Sequence, residues 1–243
     1  MCYAERINPN FNFVKTITAF FIFLTLLIIS CANRDEKVVK YIDSDALFFD
    51  YQVWGDDEKQ VMTTMLQFHE GDADGMAIAL KEPAKVELDK KPLKEDSAKQ
   101  SGVYYEYETT IDSFTGKHTI ALTTKAGKTY TEKFEFHPFK IISAWPDTIH
   151  RKDFTLQFAG LDEEDYIRVI ALDTLFRSNG INDVDTLKDG KMMLTAQRLK
   201  NLGNGPVRIE FYKEQEKPLK DATTAGGYLL VTYAVKKDFI LAD

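Results

Sequence analysis

The segment VYYEYETTIDSFTGKHTI, residues 103–120, carries the pattern that decides the fold class. Apolar and polar residues alternate from Val103 to Glu108, and Gly116 then precedes a second alternating run. A period of two places successive side chains on opposite faces of a strand, so one face is expected to enter a core and the other to meet water. The segment therefore predicts two consecutive β-strands.

The rest of the chain beyond residue 44 shows the same kind of pattern. Runs typical of strands, separated by turn residues, occur at residues 46–54, 60–69, 84–89, 128–136, 154–160, 165–173, 191–196, 206–214 and 227–241. Only residues 196–205 read as a helical turn, so an all-β protein is predicted. Glu132 interrupts the apolar face of its strand, and the sequence offers no reason for it.

The pattern divides into two halves near Pro138. Gly116 and Gly205 each follow an apolar residue and open an alternating strand, and their separation of about 90 residues is close to the length of one immunoglobulin-like domain. The chain resembles tandem immunoglobulin-like β-sandwich domains, which implies domains at residues 45–138 and 139–243. His118 and Val207 stand where such domains often carry a corner tyrosine, so the corner hydrogen bond is in question, above all in the second half.

Composition narrows the possible partners. The 243 residues are 44% hydrophobic, enough to bury two cores, and the net charge of -7 disfavours a nucleic-acid partner. The two cysteines are Cys2 and Cys31, so a mature chain that starts at Cys31 cannot form an internal disulfide.

The N-terminus has the order of a secretory signal. Arg6 and Lys15 precede an apolar run from Ile17 to Ile29, which is shorter than the roughly 20 residues that span a bilayer as a helix. Leu27–Cys31, LIISC, then resembles the lipobox of bacterial lipoproteins, and residues 34–37, RDEK, resemble the acidic export tag of Bacteroidetes surface lipoproteins. The resemblance implies a signal peptide at residues 1–30 and a lipidated Cys31.

The same resemblance implies a location. Residues 31–44 would form a tether, and the protein would be anchored to the cell envelope through Cys31. Ala32 at the following position resembles the pattern of outer-membrane lipoproteins. An uncleaved anchor followed by an incidental cysteine is the alternative.

No motif points to catalysis. His69-Glu70 lacks a second histidine four residues on, and no G-x-S-x-G elbow, P-loop or C-x-x-C occurs. We therefore expect no enzyme activity, no cofactor and no metal. A carboxylate pair assembled in space needs no motif and stays a distant alternative.

Two acidic segments could supply oxygen ligands to calcium. They are residues 70–75, EGDADG, and residues 179–185, NGINDVD. Neither has the full spacing of an EF-hand, and both are also typical of ordinary β-turns. Calcium and solvated turns both remain open.

Three aromatic residues, Trp54, Tyr104 and Trp145, are the candidate ligand contacts. A flat ring can stack on a sugar, but both tryptophans could equally close the ends of hydrophobic cores. We expect a non-catalytic binding, adhesion or structural module whose partner is an unidentified envelope protein or glycan. A surface glycan-binding protein is the main alternative, and a hydrolase is the distant one.

The lipobox generates the first prediction. Cys31→Ala removes the thiol that would form the thioether, so lipid attachment and processing should both fail. Mass spectrometry of the mature protein measures this directly. A wild-type N-terminus other than acylated Cys31 would contradict the lipoprotein assignment.

Overall fold

The computed structural model describes residues 46–175 and 178–243, and these belong to one compact unit. β-Strands dominate this part of the chain, and each of its two helices is four residues long. Within the described ranges, no helix is long and apolar enough to cross a membrane. The predicted signal peptide 1–30, the lipidation site Cys31 and the tether 31–44 lie outside the described residues.

The described part of the first half contains eight strands and one helical turn. They are β1 (Leu47–Asp56), β2 (Val61–Glu70), β3 (Lys85–Leu88), β4 (Lys91–Pro92), β5 (Lys94–Ala98), β6 (Gly102–Thr110), α1 (Ile111–Phe114), β7 (Gly116–Thr123) and β8 (Thr129–Phe136).

The described part of the second half also contains eight strands and one helical turn. It comprises β9 (Lys140–Ile141), β10 (Thr148–His150), β11 (Phe154–Ala159), β12 (Tyr166–Asp173), β13 (Ile181–Thr186), β14 (Lys191–Leu194), α2 (Ala196–Leu199), β15 (Gly205–Pro218) and β16 (Gly227–Ala242).

The strand order in the first half is that of an immunoglobulin sandwich. One sheet runs β1-β2-β6-β5 and the other runs β4-β3-β7-β8. With the strands lettered A, B, C, C′, D, E, F and G in chain order, these are the sheets ABED and C′CFG. The alternation in β7 and β8 places Ile120, Leu122, Tyr130 and Phe134 in the core between the sheets.

The second half repeats this arrangement. Its larger sheet runs β13-β12-β15-β16 with β10 parallel to β16, and its smaller sheet runs β14-β11-β9. In letters these are the sheets C′CFG, with A′ beside G, and EBA. The prediction of an all-β fold with two tandem immunoglobulin-like sandwiches is confirmed.

The last two strands extend beyond their own sandwich. We call residues 213–234 the hairpin arm: it comprises the distal part of β15, the turn and the proximal part of β16. In this arm, Gly227–Ala234 pairs in parallel with Phe49–Asp56 of β1. The pairing joins the two larger sheets into one nine-stranded sheet.

Because of the hairpin arm, residues of the second half pair with a strand of the first half, across the predicted domain boundary. The strands of the two halves divide between Phe136 and Lys140, but residues of the second half add strands to the first sandwich. A fragment that ends at residue 138 would lose the strand beside β1. The domain bounds of residues 45–138 and 139–243 stay a prediction.

The arm also accounts for Glu132. This side chain projects from β8 toward the arm and is 6% exposed, and its carboxylate lies 2.5 Å from the Lys217 ammonium. Lys217 also donates a hydrogen bond to the Lys133 carbonyl at 2.8 Å. In the turn of the arm, the Asp221 carboxylate accepts a hydrogen bond from the Thr131 amide of β8 at 2.7 Å. A buried acid thus marks where β8 meets the arm.

The corner before β7 is closed by a histidine. Gly116 has φ +123°, a value that L side chains rarely adopt, and Gly205 has φ +120° at the equivalent corner before β15. His118 is buried, with Nε2 2.5 Å from the Phe114 carbonyl oxygen and Nδ1 2.7 Å from the Asp89 carboxylate. The imidazole therefore makes the corner contact in the first sandwich. Val207, whose apolar side chain cannot hydrogen-bond, is buried at the second corner.

The Glu132–Lys217 pair generates the second prediction. Lys217→Met keeps most of the aliphatic stem but leaves the buried Glu132 carboxylate without its counter-charge. We expect the free energy of unfolding to fall by about 2 kcal/mol. Urea denaturation measures the loss, and Lys200→Met at an exposed lysine is the control. The double variant Glu132→Gln/Lys217→Met should recover at least half of it. A loss below about 0.5 kcal/mol, the range of neutral surface substitutions, would contradict this account.

Candidate binding surface

One face of the nine-stranded sheet is turned away from both cores, and we call it the outer face. Along β16 the odd-numbered residues from Leu229 to Val235 are buried, and so are Phe239 and Leu241. The even-numbered residues between them project to the opposite face, which is the outer face. The one-to-one pairing with β1 and β15 carries the alternation across the sheet. The outer face is therefore shared by both sandwiches.

Exposed apolar side chains concentrate on this face. Five large hydrophobic residues project from it: Trp54 (37% exposed), Tyr166 (68%), Leu172 (47%), Val184 (56%) and Ile240 (44%). Of the other four exposed large hydrophobic residues in the described ranges, Met76 and Leu175 lie outside the strands, and Ile142 and Met193 belong to the segments that form the opposite, smaller sheet of the second sandwich. Exposed apolar side chains on one face of a sheet are typical of an interaction surface.

Two of the three predicted ligand contacts lie on the outer face. Trp54 lies within β1, between Thr63 of β2 and Thr232 of β16. Tyr104 projects from β6 opposite Asp96 of β5. Partial desolvation and the nearby Asp96 and Glu106 carboxylates raise the pKa of Tyr104. The two rings therefore share a face, with acidic side chains beside Tyr104.

The charged groups near Trp54 are mostly paired. The Asp56 carboxylate lies 2.9 Å from the Lys236 ammonium, and Arg168 lies 3.2 Å from Glu214. Burial opposes ionisation of Asp56, but hydrogen bonds from the Lys59 amide and from Lys236 hold its pKa below its usual value. At β5 and β6 the carboxylates of Asp96, Glu106 and Glu108 lie close together, and burial and the other two carboxylates raise the pKa of Glu106.

The third predicted contact, Trp145, lies in a different environment. Its ring makes edge contacts with Phe154, Phe211 and Phe239 at centroid distances of 5.9–6.3 Å. The indole N–H donates to the Asp238 carbonyl at 3.1 Å. Trp145 therefore packs against the core of the second sandwich and is not beside Trp54 or Tyr104. Its role as a ligand contact stays a prediction.

The acidic segments differ in structure. Residues 71–75 form turns, in which the Asp72 carboxylate accepts from the Asp74 amide at 3.0 Å. Residues 181–186 form strand β13, where the Arg198 guanidinium lies 2.9 Å from Asp183 and 2.7 Å from Asp185. In residues 46–175 and 178–243, no group of three or more His, Cys, Asp or Glu side chains is placed to hold a metal ion.

The buried carboxylates are tied into the fold. Asp50 accepts from Gln52 at 3.0 Å, Asp56 and Glu132 pair with lysines, and Asp173 accepts from the Gly203 amide at 3.0 Å. These contacts give each buried acid a structural role. The hydrolase alternative gains no support from them.

A cavity of about 180 Å³ lies where the two sandwiches meet, and we call it the junction cavity. Its walls come from the end of β8, the segment between β8 and β9, the loop after β11 and the hairpin arm. Its lining includes Glu135, Phe136, Phe139, Asp162, Val231 and Tyr233. Trp145 does not line this cavity.

Comparison with known proteins adds little to this geometry. No protein-family model and no curated protein sequence matches the chain. It is similar to the crystal structure of DIP-gamma IG1+IG2, with 11% identity, 80% of this chain and 99% of that chain covered, and a TM-score of 0.25. It is also similar to Dpr11 IG1 bound to DIP-gamma IG+IG2, with 10% identity, 78% and 97% covered, and a TM-score of 0.25. At these TM-scores the likeness carries no argument, and the fold assignment rests on the strand order.

The two tryptophans generate the third prediction. Trp145→Ala removes a ring packed against three phenylalanines, so we expect it to cost about 3 kcal/mol of unfolding free energy. Trp54→Ala acts on a more exposed ring and should cost about 1 kcal/mol or less. Each single variant retains one tryptophan, so fluorescence-detected urea unfolding can follow both. Equal losses in the two variants would contradict the different placements.

Proposed function

We propose that this protein is a non-catalytic binding module, anchored to the cell envelope through a lipidated Cys31, which binds a protein partner through the outer face. Acyl chains contribute about 0.8 kcal/mol per buried methylene, so a multiply acylated Cys31 would hold the protein stably at a membrane. The lipobox residues support the anchor, and the outer membrane is the proposed location.

The observation that carries the proposed binding function is the concentration of exposed apolar side chains on one continuous sheet face. Tyr166, Val184 and Trp54 expose 68%, 56% and 37% of their surface there. Backbone hydrogen bonds hold these strands in register, so binding would order few additional backbone groups. Paired charges such as Arg168–Glu214 lie among the apolar residues and would supply polar contacts.

Glycan binding is the second candidate. It is favoured by the placement of Trp54 and Tyr104 on the same face, because exposed rings can stack on sugars and the neighbouring acids Asp96 and Glu108 can accept hydrogen bonds from hydroxyl groups. A protein partner is preferred because Leu172, Val184 and Ile240 extend the apolar surface with side chains that offer no stacking face.

The proposed function generates the fourth prediction. A photoreactive benzoylphenylalanine placed at position 184, on the outer face, should give a discrete cross-linked protein in intact cells. The same group at position 193 is the matched control, because Met193 is similarly exposed but lies on the other sheet. The adduct from position 184 should weaken when Trp54→Ala is introduced.

Four outcomes decide between the candidates. Equal cross-linking from both positions, or none from position 184, would contradict the protein-binding face. Saturable glycan-array binding that Trp54→Ala abolishes would support the glycan candidate. Saturable hydrolysis of a glycan or peptide would contradict the non-catalytic assignment.

A further inference from the structure

Opposite charges alternate on the outer face of the second sandwich. Arg208 and Glu210 project from β15, and their partners on β16 are Asp238 and Lys236 respectively. We call these four residues the checkerboard. Arg208 and Asp238 are its more exposed members. The checkerboard has no net charge, although the chain carries -7, so this part of the surface lacks the excess of acid that makes two copies repel each other.

The checkerboard is self-complementary under a twofold rotation. The strand order in this part of the sheet is β12-β15-β16-β1. Two copies can stack face to face about a twofold axis that runs along the strands, between β15 and β16. In that arrangement β15 of one copy lies over β16 of the second copy, and β12 lies over β1. Each row of paired residues then lies over the same row of the second copy.

The rows nearest the axis bring opposite groups together. Arg208 faces Asp238 of the second copy, and Glu210 faces Lys236, because these residues are partners in the ladder between β15 and β16. In the next row Pro206 faces Ile240, an exposed apolar side chain. Every contact occurs twice, as the symmetry of a twofold dimer requires. Charge therefore meets opposite charge, and apolar surface meets apolar surface.

The outer strands add an aromatic contact. Thr232 pairs with Glu214 of β15 and with Trp54 of β1. Continuing the register between β12 and β15 by two residues from Arg168 places Tyr166 in the same row. Since the rotation exchanges β12 and β1, the exposed ring of Tyr166 lies over the Trp54 ring of the second copy. Sheets that stack face to face cross at about 30°, and a displacement of this size leaves two large rings in reach of each other.

These correspondences identify a partner. We propose that the outer face of the second sandwich binds a second copy of this chain, in a twofold dimer whose axis runs along the strands between β15 and β16. The inference rests on the proposed function and deepens it, because it names the protein that the outer face binds.

The size of the matched surface sets the strength of the dimer. Four strands about 4.8 Å apart and five rows about 6.8 Å apart cover about 600 Å² on each copy. A standard interface buries about 800 Å² on each partner, so we expect a weak dimer with a dissociation constant of about 10–100 μM. Anchoring at a membrane, as proposed, raises the local concentration of the chain and favours such a dimer.

The test measures dimerisation of the full chain by sedimentation equilibrium in a density-matched detergent. Arg208→Glu places an acid opposite Asp238 of the second copy, and Asp238→Arg places a base opposite Arg208. Each variant alone should raise the dissociation constant at least about tenfold, because like charges then meet twice. Lys191→Glu is the matched control: it makes the same charge change at an exposed lysine of the smaller sheet and should leave the dimer unchanged.

An equal mixture of the two variants tests the direction of the axis. In the mixed dimer, both contacts between positions 208 and 238 join an acid and a base. The mixture should therefore return to within about threefold of the wild-type dissociation constant, which mixing cannot achieve for a variant that fails to fold. A twofold axis across the strands would instead place Arg208 opposite Glu210, and mixing would not restore the dimer.

Several results would overturn the proposal. They are a wild-type chain that stays monomeric up to about 1 mM, single variants that dimerise like the wild type, and a mixture that associates no better than its components. The photoreactive group at position 184 separates this inference from the proposed function. An adduct with twice the mass of the chain supports the second copy. An adduct with a different protein alone overturns the inference and leaves the proposed function in place, and the absence of any adduct contradicts the proposed function.

Discussion

The parallel pairing of β16 with β1 is the interaction on which the rest of this structure depends. A sandwich of the immunoglobulin type normally ends its ABED sheet at strand A, but here strand A is followed by Gly227–Ala234. This pairing places Leu229, Val231 and Tyr233 in the first core, beside residues that precede them by more than 150 positions. The pairing also joins the outer surfaces of the two larger sheets into one face, because β1 and β16 are hydrogen-bonded neighbours in the nine-stranded sheet.

The same pairing explains why polar groups are buried near the junction. The arm passes over β8 at the inner face of the first sandwich, where Glu132 and Lys217 neutralise each other. A pair of this kind contributes little net stability compared with an apolar contact, but it disfavours arrangements that separate its members. Together with the Thr131–Asp221 hydrogen bond, it fixes the arm against β8. The cavity beside it is lined in part by Lys213 and Gln215 of the arm.

Local pattern predicted the sandwiches well, whereas long-range pairing was beyond its reach. Alternation at Val103–Glu108 and the glycines at 116 and 205 identified the strands and the two corners, because these signals depend on neighbouring residues alone. The segment Lys213–Lys217 reads as hydrophilic, so the predicted strand ended at residue 214, although its true end is Pro218. Residues 181–186 read as an acidic loop because asparagine and aspartate disfavour strands, and Arg198, which binds them, is distant in sequence. Tyr166 was missed as an exposed residue because both faces of β12 are largely apolar, so the period of two does not show which one is outside.

The direction of the pairing between β1 and β16 has a mechanical consequence. In parallel strands, the start of one lies beside the start of the other, so tension applied at Leu47 and at Ala242 pulls the strands in opposite directions along their common axis. The ladder from Phe49 to Asp56 is then loaded in shear, and its hydrogen bonds share the force and do not open one after another. For a chain held at its N-terminal side while a ligand pulls on the second sandwich, the arm acts as a clamp that resists extension.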